Sequence, residues 1–154
     1  MSGPDDPAAT YRARAQEYRN AGDYEEAAMH QRRAIALYRG AEDQERLAHA
    51  LRHLADIFLD AGKVSDAEKP LSEALELYAA LPDAAPLDIA NAMRSEALRL
   101  WALGDEDASL VAWRAVRRRY AALDQLFVTL RGEPGNPGTD EADRWIARLS
   151  ARDR

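Results

Sequence analysis

Ala21-Gly22-Asp23-Tyr24-Glu25-Glu26-Ala27 returns twice along the chain, as Ala61-Gly62-Lys63-Val64-Ser65-Asp66-Ala67 and as Leu103-Gly104-Asp105-Glu106-Asp107-Ala108-Ser109. The glycines stand 40 and 42 residues apart, and the agreement extends to both sides of them. Seven positions upstream are Ala15, Ala55 and Ala97; four upstream are Tyr18, Phe58 and Leu100. Five positions downstream are Ala27, Ala67 and Ser109. Twelve downstream are Ala34, Ala74 and Val116, and sixteen downstream are Tyr38, Tyr78 and Tyr120. Periodicity on this scale is the mark of a stacked repeat.

Each column has a physical reason. A small residue seven before the glycine lets the first helix of a pair approach its partner. The bulky residue three further on shares that helix face and fills the space beside the contact. Glycine ends the helix because it takes the left-handed cap conformation without a steric cost. Asp23 suits the next N-cap, with Glu26 three residues on completing a capping-box-like pair. The downstream columns draw an apolar stripe on a second helix, in which Gln31 is the weak member beside Leu71 and Trp113.

These residues resemble the tetratricopeptide repeat. Tyr11, Ala15, Tyr18, Gly22, Tyr24, Ala27 and Ala34 match its pattern in the first copy, and Leu51, Leu54, Ala55, Phe58, Gly62, Ala67, Leu71 and Ala74 in the second. The third copy is more degenerate, retaining Met93, Ala97, Leu100 and Gly104. The spacing and the segment Ala67–Leu75 are similar to the longer subtype found in kinesin light chains. The resemblance spans roughly residues 8–123. It implies an all-α, right-handed solenoid of three helical hairpins with a C-terminal capping helix, and a non-catalytic protein-binding role.

The boundaries expected are a flexible lead at 1–6, hairpins at about 7–40, 43–80 and 86–131, a Gly/Pro loop at 132–139 and a final helix at 140–151. Asp6-Pro7 reads as an N-cap with proline at the first helical position. Pro70 falls inside a helix, where it removes one backbone hydrogen bond and should bend it. The second helix of the third hairpin is expected to continue through Leu123–Leu130 until Gly132-Glu133-Pro134-Gly135-Asn136-Pro137-Gly138 breaks it. The last helix carries Ala142, Trp145, Ile146 and Leu149 on one face, which suits a cap on the end of the stack.

Composition excludes several chemistries. The 154-residue chain has no cysteine, so disulfides, thiolate catalysis and Cys-bound metals are all ruled out. Its net charge of −6 argues against general nucleic-acid binding. Met1–Thr10 has no apolar h-region and no run is long enough to cross a bilayer, so a cytoplasmic protein without membrane partners is expected. No cofactor is expected, and no Ser-His-Asp set or phosphate loop can be assembled. The chain reads as a non-enzyme.

In arrays of this kind the first helix of each pair lines a groove. Ten positions before the glycines stand Arg12, Arg52 and Arg94, a possible ladder for carboxylates. The neighbouring columns supply Gln16, Asn20, His49, Asp56, Asn91 and Leu98, and Trp101, Leu98 and Leu59 offer apolar contacts. The expected ligand is a peptide or helix of a protein partner, acidic in character. The same arginines read alternatively as solvated ion pairs with neighbouring acids. His49, His53 and Asp56 share a helix face but converge poorly for a metal; the two histidines read better as groove residues that tune binding with pH. His30 reads as surface, and Arg114, Arg117, Arg118 and Arg119 as a solvated convex face offset by Asp105–Asp107. The rival to peptide binding is self-association as a homodimer through the terminal helices.

Overall fold

The computed structural model describes residues 6–152, and the described residues are helical throughout, without strands. The predicted flexible lead therefore lies, Asp6 apart, outside them. The chain divides into two compact units, one up to Asp83 and one from Ala84.

The first unit holds α1 (Pro7–Asn20), α2 (Tyr24–Gly40), α3 (Gln44–Asp60) and α4 (Val64–Ala80). α1 pairs with α2 and α3 with α4, and α2 packs on α3. The turn inside each hairpin is built as its glycine requires. Gly22 and Gly62 have φ of +79° and +74°, and the residue after each donates back to the carbonyl of Tyr18 or Phe58. That is the Schellman closure, which satisfies carbonyls that the ending helix leaves open. The next helix starts on Asp23, whose carboxylate accepts from the Glu26 amide at 3.4 Å. The turn between the hairpins closes the same way, Asp43 N–H donating to Tyr38 O, but with Glu42 in the left-handed position at φ 55°. α4 runs through the buried Pro70 without interruption.

The core of this unit follows the columns. Ala15, Ala27, Ala34, Ala55, Ala67 and Ala74 are all buried, with Leu51, Leu54, Phe58 and Leu71 filling the space between helices. Alanine there costs no side-chain entropy and admits the neighbouring backbone. Gln31 is buried as well, which its polar side chain tolerates because Nε2 donates to the Ala50 carbonyl at 2.9 Å.

The second unit holds α5 (Pro86–Ala102), α6 (Glu106–Ala121), α7 (Asp124–Arg131) and α8 (Pro137–Ala151). α5 pairs with α6 through a turn at Gly104, and α6 packs on α8. Ser109, in the small-residue column, is fully buried and donates to the Ala97 carbonyl at 2.9 Å. Trp113, Val116 and Tyr120 form the core against Ala142 and Leu149 of α8.

Two expectations change here. The long second helix of the third hairpin does not run on through Leu123–Leu130: α6 ends at Ala121 and α7 is a separate helix. The break turns Leu123 and Phe127 back onto the core, with Phe127 at 6.1 Å from the Tyr120 ring. The last helix begins at Pro137, inside the expected loop, because Asn136 caps it by accepting from the Thr139 amide at 3.0 Å. Asn136 also donates to the Tyr120 carbonyl at 2.8 Å and to Asp124 at 2.6 Å, binding the loop to α6 and α7. α8 repeats the small-then-aromatic spacing of the first helices, Ala142 and Trp145 standing as Ala15 and Tyr18 do. It docks on α6 as α3 docks on α2.

Candidate functional site

Within the first unit, α1 and α3 flank a cleft of about 270 Å³ floored by Gln31 of α2. Ala9, Ala13, Ala15 and Ile57 supply apolar wall, while Arg12, Gln16, Arg19, His49 and His53 supply polar rim. The helical period puts Arg12, Gln16 and Arg19 on one face of α1, since they fall at i, i+4 and i+7. His49 and His53 face the cleft from α3, one turn apart, with their rings 4.5 Å apart, edge to face.

The cations in and beside this cleft differ in how they are held. Arg19 donates through Nε to Asp60 at 2.6 Å, joining α1 to α3. Arg52 is mostly buried and donates to Asp56 at 3.0 Å, and its Nη2 lies 3.3 Å from His53 Nε2. Guanidinium groups only donate, so His53 Nε2 is the acceptor and carries no proton in this arrangement. Arg12 lies 5.9 Å from the centre of the Tyr38 ring, a cation–π distance. The Nε atoms of Arg12 and Arg52 are both buried without a hydrogen-bond partner among the described residues. Burial, followed by the charges of Arg52, His49, Arg19 and Arg12, pushes the His53 imidazole from its ordinary 6.5 down to about 3.

The residues proposed from sequence separate between the two units. Arg12, Gln16 and His49 meet at the cleft, and Gln16 holds Asn20 by a 2.8 Å hydrogen bond on the exposed side of α1. Asp56 is buried against Arg52. In the second unit, Arg94 is a two-pronged partner of Glu141 on α8, at 2.6 and 2.9 Å. Asn91 accepts from the Tyr120 hydroxyl at 2.6 Å. Leu98 and Trp101 pack on the core, Trp101 at 4.9 Å from Trp145.

His53 lines the cleft as a groove histidine, whereas Arg19 is a cleft residue that the repeat pattern does not mark. The column of Arg19 holds Leu59 and Trp101 in the other copies, so the repeat pattern pointed to an apolar contact there. His30, read as surface, is instead buried, with Nδ1 2.9 Å from the Glu26 carbonyl and its ring 5.1 Å from that of Tyr18. Arg117 pairs with Asp143 of α8 at 2.5 Å, while the acids Glu106 and Asp107 are taken by Arg152. Among the described residues no group of three or more His, Cys, Asp or Glu side chains is arranged to hold a metal. No described helix is long and apolar enough to cross a membrane.

Tandem αα-hairpins with small-residue seams and glycine-closed turns define a helical-repeat scaffold. The tetratricopeptide repeat model matches residues 4–80, half of the chain, and the protein belongs to that family. Among solved structures, a TPR-like protein from Chlorobium tepidum aligns over 94% of this chain and 94% of its own, with a TM-score of 0.65 and 21% identity. That likeness carries the fold alone. No curated protein matches the chain. Repeats of this family generally mediate protein–protein interaction.

Proposed function

We propose that the protein is a non-catalytic interaction module that holds an acidic peptide segment or helix of a partner protein in the cleft between α1 and α3, working in the cytoplasm. The observation that carries this reading is Arg12. It lines an apolar-walled cleft, and its buried Nε has no partner among the described residues. A buried donor without an acceptor costs about 1–3 kcal/mol, which an incoming carboxylate recovers. Gln16 and His49 extend the polar rim for the neighbouring residues of such a segment. Arg94 is not part of this reading, being engaged by Glu141. The 40- and 42-residue spacing supports reading the repeats as the longer, kinesin-light-chain-like subtype.

The test uses a hexaglutamate peptide as probe, with affinity measured by calorimetry. Arg12→Glu is expected to weaken binding at least tenfold while Arg94→Gln leaves it within twofold. Equal affinity for wild type and Arg12→Glu overturns the assignment.

A second reading, self-association, is favoured by the exposed Leu126 and Leu130 one turn apart on α7. Trp145 does not serve it while α8 is docked, since its ring is engaged by those of Trp101 and Trp113. A strictly monomeric mass by light scattering at high concentration rules this reading out.

A further inference from the structure

His53 stands where the cations of the cleft meet. From α1 it faces Arg12 and Arg19, and from its own helix His49 and Arg52. α2 offers only the neutral Gln31 to the cleft. Two of these arginines are already engaged, Arg52 with Asp56 and Arg19 with Asp60, while Arg12 has no acid partner among the described residues. The local charge is thus an excess of one cation beside an imidazole that burial, and then these cations, hold neutral. Its Nε2 lone pair is used by Arg52, at 3.3 Å.

An anion entering this cleft changes both conditions. It offsets the field of Arg12, Arg19 and Arg52 at the imidazole, and Arg52, which stands beside His53 and outside the cleft lining, keeps Asp56 as its acceptor when it lets Nε2 go. Once released from Arg52, Nε2 can take a proton and donate to the same anion. A charge-assisted hydrogen bond of that kind is roughly twice as strong as a neutral one. We propose that seating an anionic side chain of the partner in the α1–α3 cleft is coupled to protonation of His53, so that the complex tightens as pH falls. This rests on the cleft being the peptide site.

The coupling has a definite sign. A proton is gained only in the bound state, so affinity rises with falling pH below the bound-state midpoint, by at most tenfold per pH unit. The ring that Arg52 holds is that of His53, with His49 4.5 Å from it on the cleft rim.

Calorimetry with hexaglutamate at pH 6.0 and 7.5, in PIPES and in Bis-Tris, gives affinity and proton uptake together. Wild type is expected to bind at least threefold tighter at pH 6.0 and to take up a fraction of a proton there, whereas His53→Gln binds with no uptake and at most half of that pH dependence. His49→Gln removes a rim residue and is expected to weaken binding, but to keep the proton uptake of wild type at pH 6.0. Independently of any variant, the His53 Cε1–H resonance is expected to titrate about three pH units higher with saturating peptide than without it, the shift that a threefold change in affinity requires. Binding with no uptake and an unmoved resonance overturns the coupling and leaves the peptide site standing. No binding by wild type at either pH overturns both.

Discussion

Arg52 holds its Nη2 3.3 Å from His53 Nε2 while its Nη1 donates to Asp56 at 3.0 Å. One guanidinium thus ties a buried acid to a base that must stay neutral. Buried charge pairs of this kind add little net stability against an apolar isostere, but removing one partner is costly. The structural consequence is a folded state that resists protonation at a half-buried histidine.

Stability should accordingly fall in mild acid through His53. Its folded-state midpoint of about 3 is below the ordinary 6.5, so the unfolded chain binds the extra proton between those values. Folding is favoured above 6.5 and the advantage is lost as pH falls toward 3. Between pH 7.5 and pH 5 the loss is about 2 kcal/mol. Urea denaturation of wild type and His53→Gln at both pH values checks it. The variant should lose less by about that amount, and parallel losses in the two proteins would remove His53 as the cause.

Glu42 offers a stabilising substitution. It occupies, at φ 55°, the left-handed cap position that Gly22 and Gly62 fill inside the hairpins. Side chains pay about 1–2 kcal/mol for that conformation, and glycine does not. Because glycine also loses more entropy on folding, Glu42→Gly should gain about 0.5–1 kcal/mol net. Gly62→Ala should lose about 1 kcal/mol, although a Cβ there meets nothing within 4 Å. Thermal melts of the two variants are expected to move in opposite directions.

The columns were legible because a helical repeat writes its packing at fixed spacing. Ala15, Ala55 and Ala97 had to be small whatever the partner, and the glycines had to close the turns. What the pattern could not hold was chemistry particular to one copy. Arg19 occupies a column otherwise apolar, and His30 is buried because Tyr18 and the Glu26 carbonyl happen to receive it. Arg94 read as a groove residue since its partner Glu141 lies 47 residues on, and only the docking of α8 brings them together. The break before α7 contains no proline or glycine. It arises from tertiary packing of Leu123 and Phe127, which overrides local helix preference.

The second unit depends on one aromatic stack. The Trp145 ring lies 5.5 Å from Trp113, nearly parallel at 9°, and 4.9 Å edge-on from Trp101, with the Arg148 guanidinium 5.1 Å from the Trp101 ring centre. Trp145→Ala removes a ring that touches both others and should cost about 2–3 kcal/mol, below the range for a fully buried aromatic because Trp145 is partly exposed. Near-UV dichroism should lose its tryptophan bands at the same time. An unchanged spectrum and melt would mean that α8 does not depend on this stack.

Gly138 is the sharpest local test of how α8 docks. It lies in the first turn of that helix, buried, and a Cβ built on it would overlap the ring of Tyr120. Tyr120 has little room to yield, since its hydroxyl donates to Asn91 at 2.6 Å and its carbonyl accepts from Asn136 at 2.8 Å. Gly138→Ala would favour helix by about 1 kcal/mol on intrinsic preference alone. Overpacking costs about 1–3 kcal/mol, and more where the neighbour is fixed at both ends. The net expectation is destabilisation by about 1–2 kcal/mol, seen as a lower denaturation midpoint, with the Gly138→Ala, Tyr120→Leu double variant recovering part of it. Stabilisation by the single substitution would mean that α8 does not lie against Tyr120.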